Sequence, residues 1–464
     1  MSAPLLAVID IGKTNAKVAF IDTQSGAEVW SGKRVNRIVA TPLGRALDLQ
    51  EIEHWLVDAL RRAPHKDRVA AIVPIAHGAA AVLLDEDCAV VAAPDYEDPQ
   101  FASVNEHYQV ERDPFEETLS PSLPLGLNLA RQFFFLERQH PDEFARVMHI
   151  LLHPQYWAWR FSGAMASEVT SLGCHTDLWS PRSKEFSRLA RVHGWAPLFP
   201  PAAYAGETLG TLTPAMVERT GLPHECRVIC GIHDSNACWL EHSIRRTRGE
   251  SFAVVSSGTW TVVMANCADP ARLQADRDML ANVDAFGSIV CTARFMGGRE
   301  YEAIAGSTVA PDADSLAAVL RRRVMAIPSF ASGGPFATHR GELVHSGPMS
   351  DAERAALATL YTALMTQLLL ERLGAKGDTI VDGPLSANPL FAPLLAALGP
   401  ASRIIAGAAA TSGARAACYL AGIDLPRIEA APVVQPLQIS GLDAYRADWR
   451  RLLPDRWPEN VRSP

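Results

Sequence analysis

The sequence predicts an α/β protein with two lobes, and three observations support this fold class. The chain has 464 residues, more than a single hydrophobic core usually organises. Apolar residues make up 48% of it and charged residues 20%, the balance of an ordered globular protein. Strand-like runs alternate with helical patterns in both halves, an order typical of α/β architecture.

Each half contains a predicted β-hairpin. In the first half, strand-like runs at 5–9 and 16–21 flank a turn that contains glycine. In the second half, at 251–265, two β-branched runs flank the residues Ser-Ser-Gly-Thr. The shared strand–turn–strand unit is a weak internal repeat and does not have the short period of a solenoid.

The remaining elements follow from apolar spacing and from β-branched runs. Helices are expected over 126–139, 142–161, 351–374 and 407–422, and strands over 228–232 and 378–383.

A short charged connector, IRRTRGE at 244–250, predicts the boundary between the lobes. The expected organisation is an N-terminal lobe of residues 1–244, a C-terminal lobe of residues 245–440 and a helical tail of residues 441–464.

Charge and hydropathy exclude several classes of protein. Lys and Arg total 43 against 51 Asp and Glu, a net charge of −8, so binding to nucleic acid or to an anionic membrane is not expected. No unbroken apolar stretch predicts a membrane span, and the N-terminus lacks the basic region of a signal peptide. Eight scattered cysteines without a CxxC pair favour free thiols and a cytoplasmic protein.

The turn of the first hairpin carries candidates for phosphate and metal binding: Asp10, Gly12, Lys13, Thr14, Asn15 and Lys17. Gly12 permits a tight turn whose backbone N–H groups can approach a phosphate. Asp10, at a strand end, offers the carboxylate oxygen that Mg²⁺ prefers. An ordinary hairpin turn with surface charges explains this spacing equally well.

The turn of the second hairpin contains Ser257, Gly258 and Thr259. It is interpreted either as a second phosphate-binding turn or as a turn whose hydroxyls bond their own backbone. Asp234 directly follows an apolar strand, so it could accept a proton at a strand end or simply cap the next helix.

His77-Gly78 and the segment with Tyr96 and Asp98 end apolar runs and are compatible with ordinary turns. The chain contains neither GxxxxGK[ST] nor a GxGxxG after its first strand, which disfavours a P-loop NTPase and a dinucleotide-binding domain.

Taken in order, several segments resemble the FGGY family of carbohydrate kinases, from Asp10 to about Gly422. They are DIGKTNAK, AHGAAAVLLDEDCAV, PDYED, GIHDSNA, SSGTWTVV, DGPLSANPLF and AATSGARAACYLAG. The resemblance implies the actin/hexokinase-like (ribonuclease H-like) ATPase fold with two lobes and an interlobe cleft. It also implies ATP and Mg²⁺ as the nucleotide and the metal.

The resemblance assigns roles to individual residues. Asp234 would be the catalytic general base, and Asp10 would hold the metal. The residues implied to contact the sugar are His77, Gly78, Tyr96, Asp98, His233 and Asp234. Those implied to bind the nucleotide are Asp10, Gly12, Lys13, Thr14, Asn15, Lys17, Ser257, Gly258, Thr259, Gly383, Leu385, Asn388 and Gly413.

The chain departs from the family pattern at several positions. Lys13 replaces a common Thr, so an extra cation is expected near the β- or γ-phosphate or directed into solvent. Gly383-Pro384-Leu385 replaces a Gly-Gly-Gly motif, which leaves the preference for adenosine open. Ile75 replaces a common Gln on the sugar side and leaves the substrate open.

The predicted function is ATP-dependent transfer of the γ-phosphate to a hydroxyl, most simply a primary one, of a small ketose or related polyol. The alternatives are a non-catalytic sugar or nucleotide sensor and an actin- or Hsp70-like ATPase on the same fold. A homodimer is expected only because most oligomers are dimers.

Overall fold

The computed structural model describes residues 3–247, 249–266, 268–345, 347–399, 402–407, 413–426, 431–454 and 457. The fold is mixed α/β, which confirms the predicted fold class. No helix in these ranges combines the length and the apolar composition that a membrane crossing requires.

The strands of the described residues have the following bounds: β1 Leu5–Ile11, β2 Asn15–Asp22, β3 Glu28–Val35, β4 Ile38–Thr41, β5 Gly44–Leu47, β6 Val69–Ala76, β7 Ala81–Leu84, β8 Val90–Ala92, β9 His149–Leu152, β10 Trp179–Ser180, β11 Glu185–Phe186, β12 Thr208–Thr211, β13 Arg227–Ile229, β14 Ile232–His233, β15 Phe252–Ser257, β16 Thr261–Ala265, β17 Met279–Val283, β18 Ile289–Phe295, β19 Met325–Ile327, β20 Glu342–Val344, β21 Asp378–Asp382 and β22 Ile404–Ala406.

The α-helices of the same ranges have the following bounds: α1 Leu49–Arg62, α2 Asn105–Glu111, α3 Phe115–Thr118, α4 Leu129–Gln139, α5 Pro141–Phe144, α6 His153–Ser162, α7 Val169–Leu172, α8 Arg188–Val192, α9 Pro214–Thr220, α10 Asp234–Ser243, α11 Gly297–Ala305, α12 Ala313–Arg322, α13 Asp351–Leu373, α14 Phe391–Leu398, α15 Ala414–Leu420 and α16 Leu442–Leu452.

The chain forms two compact units. Unit 1 comprises Met1–Arg246 with the later segments Ala281–Ile289 and Thr411–Ile428. Unit 2 comprises the remaining segments from Thr247 onward. The sequence did not indicate that two later segments return to the first unit. The three predicted domains stay a prediction.

The main sheet of unit 1 has seven strands in the order β12-β13-β6-β1-β2-β3, with β14 also paired to β6. The first predicted hairpin is confirmed, because β1 and β2 pair antiparallel. Strand β6 lies parallel to β1 on its other side, and β14 lies parallel to β6. The carboxyl ends of β1, β6 and β14 therefore lie at one edge of the sheet.

Both faces of this sheet are covered, because successive side chains of a strand point to opposite sides. Ile9 of β1 belongs to a buried cluster with Leu56 of α1 and Trp157 of α6. Val8, its neighbour, belongs to a second cluster with Leu240 of α10 and further residues of α15. Apolar layers on both faces explain why the sequences of these strands are nearly continuous apolar runs.

Unit 2 contains the second predicted hairpin, which is confirmed by the antiparallel pairing of β15 with β16. Strand β21 lies parallel to β15, as β6 does to β1 in unit 1. The sheet that holds these strands has the order β17-β18-β16-β15-β21-β22. A hairpin with a parallel strand beside its first strand thus occurs once in each unit, which confirms the internal repeat.

Helix α13 is the central helix of unit 2 and packs against α11, α12 and α14. It begins with a capping box, in which Ser350 and Glu353 each bond the other's backbone N–H. It ends at Gly374, a left-handed C-cap. These end signals, with buried residues on nearly every side, agree with the helix predicted over 351–374.

The helix predicted over 142–161 is wrong as a single element. The segment divides into α5, the strand β9 and α6. The residues His-Ile-Leu-Leu of β9 pair with β7. Pro154 lies in the first turn of α6, where proline is tolerated. Apolar spacing did not separate a short buried strand from a helix here.

Candidate active site

Three of the predicted residues lie where neighbouring parallel strands of unit 1 end. Asp10 lies near the carboxyl end of β1, opposite Ile75 of β6. His77 directly follows β6, and its N–H donates to the carbonyl of Ile11. Asp234 directly follows β14 and starts α10. Ligands bind preferentially at this edge of an α/β sheet.

The carboxyl group of Asp10 is strongly affected by its surroundings. Burial, with a smaller effect of the Asp234 charge, raises the pKa of Asp10 to about 7, against the opposing effect of Lys17. A carboxylate pair in a partly desolvated site is costly without a cation, since like charges repel. Hard-cation binding by oxygen ligands would relieve this repulsion, so the donor set fits Mg²⁺.

Three histidines surround this strand edge. The His77 ring lies 4.6 Å from the His153 ring, centroid to centroid. Burial lowers the pKa of His77 and His233 and holds the pKa of His153 well below its usual range. A neutral imidazole can donate and accept a hydrogen bond without adding a charge to this edge.

The Asp234 side chain remains accessible, with 40% of its surface exposed. Its Oδ1 atom lies 3.2 Å from Nε2 of His233 and accepts hydrogen bonds from the backbone N–H and the hydroxyl of Ser235. An accessible carboxylate held on one side is able to accept a proton from a substrate hydroxyl.

Gly78 is a close-packing position. A Cβ atom built at residue 78 would lie 2.6 Å from Nε2 of His233. The absence of a side chain therefore gives the His233 ring its room beside Asp234. This supplies a packing reason for a glycine that the sequence associated with the sugar.

The predicted phosphate turn forms a tight loop between β1 and β2. The Gly12 N–H donates to the Asn15 carbonyl at 2.9 Å, and the Thr14 side chain is exposed. Asn36, which the sequence reasoning missed, donates to the Gly12 carbonyl at 2.8 Å and holds the loop. Lys17 forms an ion pair with Glu28 at 2.6 Å.

Lys13 of the same loop turns toward the segment that carries Tyr96. Its ammonium group forms an ion pair with the fully buried Asp95, lies 3.5 Å from a carboxylate oxygen of Glu97 and lies 4.6 Å from the centroid of the Tyr96 ring. Arg45 binds the other Asp95 oxygen at 3.0 Å. The sequence anticipated neither this cluster nor the role of Asp95.

Tyr96 and Asp98 differ in how they are placed. The Tyr96 ring lies 5.9 Å from the ring of His77, another residue that the sequence assigned to the sugar. The carboxylate of buried Asp98 accepts the N–H groups of Arg45 and Gln100 and caps a short 3₁₀ helix. Its contact with a sugar stays a prediction.

Unit 2 contains a cavity of about 630 Å³. Five predicted nucleotide residues line it: Ser257, Gly258, Thr259, Leu385 and Asn388. Arg299, Tyr301 and Glu302 of α11 also line it. These three were missed, although the run Gly297-Gly298-Arg299, which starts α11 shortly after β18, was a visible signal.

The Ser257 hydroxyl connects the two predicted nucleotide motifs. It donates to the Asp382 carbonyl at 2.6 Å and accepts the N–H of Leu385 at 3.0 Å. Gly383 has φ +78°, a left-handed conformation that favours glycine. A Cβ atom there would collide with the Ser257 carbonyl, so Gly383 permits this close approach.

Asn388 and Gly413 have evident local roles. The side-chain oxygen Oδ1 of Asn388 accepts the N–H groups of Leu390 and Phe391 and thereby holds the start of α14. Gly413 belongs to unit 1, where its N–H donates to Glu241 at 3.1 Å. Among the described residues, Gly413 does not line the cavity of unit 2, and its nucleotide role stays a prediction.

Two family models match the chain. The N-terminal domain of the FGGY family of carbohydrate kinases matches residues 5–240. The C-terminal domain of carbohydrate kinase FGGY matches residues 249–429.

Individual proteins are also similar. A rhamnulokinase from Halalkalibacterium halodurans is 28% identical over 225 residues, 45% of this chain and 46% of that protein. The match thus spans about half the length of this curated relative.

Among solved structures, a carbohydrate kinase from Novosphingobium aromaticivorans is 36% identical, with TM-score 0.87 and coverage of 97% of this chain and 98% of that one. A xylulose kinase from Lactobacillus acidophilus has TM-score 0.76 and 15% identity over 97% and 96% of the chains, which shows a shared fold.

Proposed function

Because the chain belongs to the FGGY family of carbohydrate kinases, we propose that it transfers the γ-phosphoryl group of ATP to a hydroxyl of a small ketose or related polyol. The observation that carries the proposal is the position of Asp234. This accessible carboxylate lies at the carboxyl edge of the unit 1 sheet, with neutral histidines beside it.

The acceptor is proposed to be an uncharged sugar with a primary hydroxyl. His77 and Tyr96 present a neutral ring edge and a phenol, and the nearby Lys13 already has carboxylate partners. The relatives are named for rhamnulose, xylulose and other acceptors, so 6-deoxyketohexoses and ketopentoses are the first candidates. Another structural neighbour is named for gluconate, so this acid is included as a charged acceptor to compare with the uncharged sugars.

In the proposed reaction, Asp234 accepts the proton of the attacking hydroxyl, a contribution typically worth about 10²–10⁴ in rate. The hydroxyl oxygen forms its bond to the γ-phosphorus as the bond to ADP breaks. Since phosphoryl transfer leaves little covalent work for the protein, alignment and charge neutralisation dominate. The turns at Gly12 and Gly258 would offer backbone N–H groups to phosphate oxygens.

Asp10 is proposed to hold Mg²⁺, directly or through water. The ion would neutralise charge on the phosphate oxygens. Unit 2 would hold the nucleotide in the cavity beside Ser257 and Leu385, with the Arg299 guanidinium as a cation close to it.

The test is an assay of ADP release with Mg-ATP against rhamnulose, fuculose, xylulose, ribulose, glycerol and gluconate. One uncharged ketose or polyol is expected to give ADP in stoichiometric amounts, with one phosphorylated product. Asp234→Asn should lower kcat with this acceptor by about 10²–10⁴-fold, while the affinity for ATP measured by calorimetry stays within about twofold of wild type.

Asp58→Asn, the same substitution at a position on α1 whose side chain is about half exposed, is the matched control and should keep wild-type turnover. ADP release that does not depend on any acceptor would instead indicate an ATPase. Near-normal turnover by Asp234→Asn would remove this residue from the mechanism.

A further inference from the structure

Asn236 is a buried polar residue for which the proposed reaction has no direct use. It lies on the first turn of α10, two residues after Asp234, and is 2% exposed. Its Nδ2 atom lies 3.3 Å from the Thr170 carbonyl oxygen and 3.1 Å from Nδ1 of His233. A buried amide with two fixed partners constrains whatever it touches.

These partners determine the orientation of the amide. The Thr170 carbonyl can only accept a hydrogen bond, so the atom that faces it must be the NH₂ group of Asn236. The second hydrogen of that group is then directed at Nδ1 of His233. A nitrogen that accepts a hydrogen bond carries no proton, so the neutral His233 ring is protonated at Nε2.

The protonated nitrogen faces the proposed base. Nε2 of His233 lies 3.2 Å from Oδ1 of Asp234, and Ser235 donates to the same oxygen. The opposite tautomer would direct a lone pair at the carboxylate and repel it. Oδ2 of Asp234 receives no hydrogen bond from the residues that the structure describes, so it is the oxygen open to a substrate.

Thr170 also fixes the backbone of His233. The Thr170 hydroxyl accepts the N–H of His233 at 3.1 Å and donates to a carboxylate oxygen of Glu168. Glu168 is itself buried, and its side chain caps α7 by accepting the N–H of Thr170 at 3.0 Å. The ring and the main chain of His233 are therefore both held from Thr170, one through Asn236 and one directly.

We propose that Asn236 and His233 are positioning residues for the general base. Asn236 fixes His233 in the Nε2–H form, and this N–H holds Oδ1 of Asp234, so that Oδ2 takes the proton of the acceptor hydroxyl. The O–H bond of the acceptor breaks, its proton moves to Oδ2, and its electron pair forms the new O–P bond as ADP leaves. The kinetic part of this inference rests on the proposed function.

The first test does not involve activity. The ¹⁵N spectrum of the histidine rings in the wild-type protein, with His233 assigned by comparison with His233→Gln, should show a neutral ring protonated at Nε2. A ring protonated at Nδ1 alone would overturn the inference, whether or not the protein is a kinase.

The second test uses Asn236→Asp, which keeps the shape of the side chain but replaces the NH₂ donor by an acceptor. Nδ1 of His233 must then carry a proton, so the Nε2–H neutral form should disappear from the spectrum. Since a displaced base is costly, kcat should fall about 10–100-fold, while KM for the acceptor changes by less than about threefold. Asn236→Ala should lower kcat similarly.

Asn105→Asp makes the same substitution at an exposed helix start and should change neither the His233 signal nor kcat. A fall in kcat with an unchanged His233 tautomer would show a merely structural effect and contradict the proposal. If Asn236→Asp does not fold, the wild-type spectrum still tests the tautomer of His233. If the chain transfers no phosphate to any acceptor, the proposed function fails, and the tautomer is still measured independently of it.

Discussion

Lys13 shows how neighbouring residues determine the role of a single side chain. Its position in the loop after β1 suggested a cation near a phosphate, but the structure pairs it with Asp95 and Glu97 and places it by the Tyr96 ring. Asp95 is fully buried, and a buried carboxylate requires cations or hydrogen bonds nearby. Lys13 therefore holds the loop against the segment around residue 96.

From this arrangement, Lys13→Thr is expected to affect the acceptor side. Loss of the ammonium group leaves Asp95 with Arg45 as its cation, so the segment with Tyr96 should loosen. KM for the acceptor should rise about tenfold, which corresponds to a loss of about 1.4 kcal/mol of binding free energy. This loss is smaller than the destabilisation that breaking a buried ion pair usually causes. KM for ATP should change by less than about twofold, and steady-state kinetics measure both.

Lys33→Thr, an exposed lysine on β3, provides the comparison and should leave both KM values unchanged. A rise in KM for ATP with an unaltered KM for the acceptor would return Lys13 to the phosphate.

At this scale, the sequence was informative where a residue's role follows from its local position. Asp10 and Asp234 could be proposed because they end apolar strands. Asn236 and Thr170 could not be proposed in this way. They lie on different helices, α10 and α7, that are far apart in the sequence, and only folding brings them together. The sequence indicated Asp98 and not Asp95 as a candidate site residue, because the burial of a carboxylate cannot be recognised within a turn-like run of polar residues.

Individual elements are held together by polar groups as well as by apolar packing. Glu300 of α11 is 1% exposed. It accepts hydrogen bonds from the Tyr361 hydroxyl of α13 and from the Ser329 hydroxyl at 3.0 Å. Burial raises the pKa of Glu300 to about 7 in spite of these hydrogen bonds.

The raised pKa predicts a specific dependence of stability on pH. Below about pH 4.5 the carboxyl group is protonated in the folded and unfolded states, whereas between about 4.5 and 7 only the folded state keeps the proton. Its contribution is therefore lost as the pH rises through about 7, at a cost of about 3 kcal/mol. Glu300→Gln should remove this loss, so urea unfolding from pH 4.5 to 8 should show a flatter profile.

Glu302→Gln, an exposed position on the same helix, should follow the wild-type profile. A constant difference in unfolding free energy between wild type and Glu300→Gln across this range would mean that the carboxyl titrates normally.

Prediction of the elements succeeded where end signals accompanied a periodic pattern. Helix α13 had both, with Ser350 before it and Gly374 after it. Strand β9 had neither, because three apolar residues after a histidine, between two helical segments, have no distinctive period. Its identity depends on pairing with β7, a contact distant in the sequence.

For the whole molecule, the duplicated hairpin indicated an α/β protein with a repeated core, and β1, β2 and β6 find their counterparts in β15, β16 and β21. The return of Ala281–Ile289 and Thr411–Ile428 to unit 1 was unpredictable, because it depends on which apolar surfaces pack together. Ala417, for example, joins the cluster of β1 and α10.

In the proposed function the two units bind different ligands, and hydrogen exchange measures this division. The acceptor found in the ADP-release assay should slow exchange in unit 1 at 76–78 and 233–236, where the strand edge carries His77 and Asp234. MgADP, which lacks the transferred phosphate, should slow exchange in unit 2 at 257–261 and 384–389, which line or adjoin its cavity. Bound ligands protect the segments whose opening they oppose. Asp234→Asn should keep both patterns, because it removes proton acceptance and leaves the other contacts in place. Protection of 257–261 by the acceptor, with 233–236 unaffected, would reverse the assignment of the two units.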